Sequence, residues 1–124
     1  MEFMKSHKDL IVWQKSMEHV TNIYVATRTF PKDEMFGIVS QMRRAAISIP
    51  SNISEGYGRL YEKETVKFLS NALGSATELE TQIILSKNLD FITIDEAAKL
   101  QQEIQEIIRM LTSLIKTFNV DLRH

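Results

Sequence analysis

The stretch most informative about chemistry runs from Gln41 to Arg59, Q-M-R-R-A-A-I-S-I-P-S-N-I-S-E-G-Y-G-R. Wound at about 100° per residue, Gln41, Arg44, Ser48 and Glu55 fall along one flank of an apolar stripe, with Asn52 inside it. Further on, Glu80 falls between Ala76 and Ile83 on another apolar face. A carboxylate facing a core must be neutralised or paired. Arg44 is the expected cation, with Gln41 and Asn52 completing the hydrogen bonds. The set Gln41, Arg44, Ser48, Asn52, Glu55 and Glu80 reads first as a structural polar network that fixes helix register. An intersubunit network or a ligand site inside the bundle are the alternatives.

Catalytic templates fit poorly. The histidines are His7, His19 and His124, and no glutamate has a histidine three residues later, the spacing a dinuclear carboxylate bundle requires. His19 lies beside the position of Val20 and is expected half-exposed rather than as a ligand. The chain has no cysteine, which excludes disulfides, thiolate metal sites and cysteine nucleophiles. Gly56-Tyr57-Gly58 follows no strand and lacks the third glycine of a phosphate loop, so it reads as a helix stop. No catalytic residue, cofactor or metal is expected, and the chain is read as not an enzyme.

The elements that would carry these groups are helices. From Asp9, a plausible N-cap, to Arg28, the positions Leu10, Trp13, Met17, Val20, Tyr24 and Thr27 recur at spacings of three and four. A second helix starts near Asp33 and runs through Met35, Ile38, Met42, Ala45 and Ile49 to Gly56, kinked at Pro50. A third spans Glu62 to Asn88. A fourth, capped by Thr93 or Asp95, carries the seam Ala97, Leu100, Ile104, Ile107, Leu111, Leu114 and Phe118. Short links between long helices predict an all-α, up-down-up-down four-helix bundle, one domain over 1–124 with an ordered core of about 9–118. Trp13, Met17, Met42, Ile49, Leu69, Leu73, Leu100, Ile104, Ile107 and Leu111 are expected in its core.

At 124 residues, with 44% hydrophobic and 25% charged residues and only four glycines and two prolines, the chain can bury a core and is not of disordered or low-complexity type. No apolar run approaches a bilayer span and no signal pattern opens the sequence, so a cytoplasmic protein with no membrane partner is expected. The net charge of −1, slightly positive over 1–59 and negative over 60–124, lacks the strong basic excess of a bulk polyanion binder. Apolar residues nevertheless spread beyond the seams. Ile11, Val12 and Ile23 on the first helix, and Phe36 and Ile47 on the second, are expected at an oligomer interface. Arg43, Arg44, Arg59 and Lys63 form the candidate nucleic-acid-binding cluster.

Four segments in order, D-L-I-V-W-Q-K (9–15), F-P-K-D-E (30–34), the 41–59 motif and F-L-S-N-A-L-G-S-A-T-E-L-E-T-Q (68–82), resemble the bacterial four-helix bundle proteins encoded by intervening sequences within 23S ribosomal RNA genes. The likeness extends from Asp9 to about Phe118, and the central motif is specific. The family is similar to the accessory variability determinants of diversity-generating retroelements, small basic bundles that assemble as pentamers and bind nucleic acid and a reverse transcriptase. Gln41, Arg43, Arg44, Ser48, Asn52, Glu55, Gly56, Gly74, Glu78 and Glu80 match its characteristic polar and glycine positions. What the resemblance implies is a homo-oligomer, most simply a pentamer, that binds RNA, DNA or a nucleoprotein. A protein-interaction scaffold without nucleic-acid contact is the alternative.

Overall fold

The structure, a computed structural model, describes residues 6–118. Four helices, α1 (Ile11–Thr27), α2 (Ser40–Tyr57), α3 (Glu62–Asn88) and α4 (Ile94–Lys116), form the expected all-α bundle, and no strand occurs among the described residues. Successive helices pack on one another, and α4 returns to α1. One apolar core of Ile23, Met42, Ile49, Ile53, Leu69, Leu79, Ile83, Ile104, Ile107 and Leu111 fills the centre, each at most 1% exposed.

The two C-terminal helices form where their patterns place them. α3 keeps its expected span. Thr93 caps α4 through a reciprocal pair in which its Oγ1 accepts from the Glu96 N–H and Glu96 Oε1 accepts from the Thr93 N–H. The α4 seam is buried from Ala97 through Leu111, while Leu114 and Phe118 pack on it partly covered. The connection before it turns on Asp90, whose φ of 61° is left-handed, a conformation that aspartate tolerates better than most residues.

The N-terminal half departs from expectation in three ways. Asp9 does not cap α1; its carboxylate accepts from the Ser6 N–H in a separate short turn, and Leu10 occupies the N-cap of α1. The buried face of α1 is Val12, Ser16, His19, Ile23 and Thr27, about one residue out of phase with the expected stripe, so Met17 is 45% exposed and Trp13 only partly covered. Leu73 of α3 is likewise only partly covered. Finally, the second helix does not start at Asp33. A 3-10 turn (Lys32–Glu34) and a wide turn (Met35–Val39) come first, broken at Gly37, where φ −106° and ψ −117° leave helical space. Of the residues in this turn glycine gives the weakest local support for continuing a helix, and the break falls there.

Pro50 sits buried inside α2, which continues as one element to Tyr57. The helix stops within Gly56-Tyr57-Gly58 as expected, with Gly58 as its C-cap, and Gly56 is also a contact point. A Cβ there would lie 3.0 Å from both the Thr65 carbonyl oxygen and Phe68 Cβ, and Thr65 Oγ1 donates to the Gly56 carbonyl at 2.8 Å. The absent side chain lets α2 close on α3.

Candidate functional site

Two surfaces flank α1, and they differ in chemistry. On the side facing α4, His19 is 1% exposed and its Nδ1 lies 2.7 Å from Glu103 Oε1. Asn22 Nδ2, one turn on, donates to both Glu103 oxygens at 3.0 and 3.2 Å. Lys15 and Glu106 close the seam outside at 2.6 Å. Burial pushes the Glu103 carboxyl up, but the hydrogen bonds from His19 and Asn22, with the charges of His19 and Lys99, outweigh it and hold the group below the usual carboxylate range. Glu106 raises the Lys15 ammonium above its ordinary value by a hydrogen bond and by charge. His19 is therefore not the half-exposed residue expected from sequence. Its Nδ1 proton goes to a carboxylate, and its Nε2 is buried without a partner. A cleft of about 200 Å³ opens over Lys15, Glu18, Asn22 and Glu103.

On the side facing α2 the surface is apolar and open. Tyr24, Met35, Phe36, Val39, Arg43, Arg44 and Ile47 line a groove of about 440 Å³. Below it, Trp13, Met17, Val20, Ile47 and Pro50 line a second of about 310 Å³. Ile47 is shared, so the two form one apolar strip along the α1–α2 face. Phe36 is 96% exposed at its upper end, on the turn that Gly37 interrupts. Water-facing aromatic area on this scale marks an interaction surface.

The expected interface residues divide accordingly. Ile11, Phe36 and Ile47 are exposed, but Val12 and Ile23 are 4% and 0% exposed and belong to the core. They were misplaced because α1 is apolar on two sides and its phase was read from the wrong one. The polar network divides too. Asn52 Nδ2 donates to Ser48 Oγ and to the Ser48 carbonyl, and Ser48 Oγ meets Ser75 Oγ of α3 at 2.8 Å. Glu55 pairs with Arg59 at 2.8 Å. Gln41, Arg44 and Glu80 make no hydrogen bond or ion pair among the described residues, so the expected Arg44–Glu80 contact within one chain does not form. Glu80 is half-buried and Arg44 exposed, on different faces of the bundle.

Of the basic candidates, Arg43 is held inside the chain. Its Nε donates to Thr27 Oγ1 at 3.0 Å and its guanidinium lies 4.5 Å from the Tyr24 ring centre. Arg59 is engaged by Glu55 and stacks 4.6 Å from the Phe68 ring. Arg44 and Lys63 extend into solvent. No group of three or more His, Asp or Glu residues positioned to hold a metal ion occurs among the described residues, and His124 lies outside them. No described helix is long and apolar enough to cross a membrane.

This arrangement of four helices with the 41–59 motif on α2 has known relatives. Residues 8–113 match the family described as 23S rRNA-intervening sequence protein. The chain belongs to that family. Among solved structures, the intervening-sequence fold is shared by a protein of unknown function from the S23 ribosomal protein family of Bacteroides thetaiotaomicron. That protein is 26% identical, with a TM-score of 0.79, and the likeness covers 86% of this chain and 99% of the other. Comparison with curated proteins gives no match. The family match spans both flanking surfaces of α1, so the closed polar seam and the open apolar strip both lie inside the intervening-sequence fold.

Proposed function

We propose that this intervening-sequence family protein is a non-enzymatic, self-associating helical bundle, five copies to a ring, whose assembled surface binds nucleic acid or a nucleoprotein. The observation that carries the reading is the apolar α1–α2 strip, with Phe36 96% exposed and Met17, Met35 and Ile47 between 43% and 47%. Covering such a strip removes apolar area from water at about 25 cal/mol per Å². A ring is the closed form when the strip meets a different face of its neighbour.

Support for a nucleic-acid partner comes from the α2–α3 turn. Tyr61 is 68% exposed there, between Arg59 and Lys63 in sequence. Flat rings with nearby cations suit bases and phosphates of a single strand, and a ring of subunits repeats the group around its rim. A second reading, a scaffold for protein partners alone, is favoured by the prior engagement of Arg43 and Arg59 within the chain. Light scattering of the purified chain tests the assembly, with a strict monomer ending it. A salt titration of binding to a labelled single-stranded RNA tests the partner. Lys63→Glu should weaken binding and flatten its salt dependence, whereas no binding by the parent protein at low salt leaves the scaffold.

A further inference from the structure

We infer that the occupant of the α1–α2 strip is the α3–α4 face of a second copy, seated by an intersubunit ion pair between Arg44 of one copy and Glu80 of the next. The inference rests on the self-association reading and supplies the mating surface that reading leaves open.

The α3–α4 face can be located from contacts inside the chain. Ser75 of α3 meets Ser48 of α2, and Ile84 follows Ser75 by nine residues, which turns it about 180° away from α2. Glu103 of α4 meets His19 and Asn22 of α1, and Ile94 precedes Glu103 by nine residues, which turns it about 180° away from α1. Both isoleucines therefore open onto the face opposite the α1–α2 strip, at 37% and 75% exposure. Glu80 stands one turn before Ile84 on the same stripe of α3. The second face is thus apolar with an acidic group, and the first is apolar with a basic one.

The two faces also sit at matching heights. Phe30 and Phe91 touch, with ring centres 5.3 Å apart, so the α1–α2 and α3–α4 connections share one end of the bundle. Met42 and Ser86 meet at 3.4 Å just beneath. Arg44 lies two residues below that contact on α2 and Glu80 six below it on α3, so at about 1.5 Å per residue their levels differ by roughly 6 Å. An extended arginine spans that. In a cyclic ring whose axis runs along the bundle, a patch and its mate must stand at similar heights, and these differ by no more than an arginine can reach.

Charge gives the same direction. Residues 1–59 carry eight basic and six acidic side chains, residues 60–124 seven and ten, so the half with α1 and α2 and the half with α3 and α4 have opposite net sign, which favours pairing one with the other. Arg44 and Glu80 make no hydrogen bond or ion pair among the described residues, so both are free to make the intersubunit contact.

Reciprocal charge exchange in the full chain tests the pairing, with mass read by light scattering and folding by circular dichroism. Arg44→Glu and Glu80→Arg should each weaken association at least about tenfold, because like charges then face each other, while helix content stays at the parent level. The double variant R44E/E80R should regain the parent mass. Association that survives both single variants, or a double variant that stays dissociated while folded, overturns the pairing and leaves self-association standing. A parent chain that is monomeric at its highest soluble concentration overturns both.

Discussion

The two sides of α1 are built on opposite terms. Toward α4, polar residues pair within one chain: His19 and Asn22 on Glu103, with only His19 Nε2 left unpartnered, and Lys15 on Glu106 at the rim. Toward α2, apolar residues are left in water: Met17, Ile47 and, beyond the turn, Phe36. A monomer optimised alone would reverse this. The contrast belongs to the middle of α1; toward its start Ile11, 58% exposed, lines a further open groove with Met110 and Leu114 of α4. Under the proposed function, the polar seam serves the stability of one copy and the α1–α2 strip its association.

The comparison breaks first at the core beneath the α4 side. Leu111→Ala removes a side chain with no exposure and should cost about 2–5 kcal/mol in chemical denaturation, through lost burial and an incompletely collapsed cavity. Glu103→Leu should cost about 1–3 kcal/mol, since it leaves His19 Nδ1 enclosed without an acceptor, and Glu103→Gln should cost less. The acid limb sharpens the same point. The folded carboxyl of Glu103 titrates below its unfolded value, so its contribution is complete above the ordinary carboxylate pKa of 4.5 and is lost as pH falls below it. Denaturation midpoints of parent and Glu103→Gln should therefore converge on acidification from neutral pH. On the α2 side the smallest stability change accompanies the largest change in mass. Phe36→Ser should alter stability by no more than about 0.5 kcal/mol, as a residue without core contacts, yet shift light scattering toward the monomer.

How far the fold was legible follows the same division. α3 and α4 were readable in span, though not in every core position, because most of their apolar positions follow one stripe and their starts carry local signals, Glu62 and Glu64 at one and the Thr93–Glu96 pair at the other. α1 was not, because Leu10, Trp13, Val20 and Tyr24 make as good a stripe as Val12, Ile23 and their neighbours, and the true one includes Ser16, His19 and Thr27. Polar residues inside a core disguise it. His19 and Asn22 stand three apart on α1, a spacing that puts both on one face, but their acceptor lies more than eighty residues on and nothing local announces it. The expected Arg44–Glu80 contact failed within the chain for a related reason. Helical phase gives the angle of a side chain about its own helix, not which neighbour fills that angle.

Gly37 separates what the core holds from what it does not. Beyond it, α2 is locked by Met42, Ala45 and Ile49; before it, Phe36 stands on a short arm whose direction is set by one residue's backbone angles. A Cβ at Gly37 would meet only the movable carboxylate end of Glu34, at 2.9 Å, so a side chain there collides with no packed atom. Substitution at this one position can swing the exposed ring to a new bearing while every buried contact keeps its place. The chain thereby carries an adjustable joint between its packed bundle and its most exposed ring.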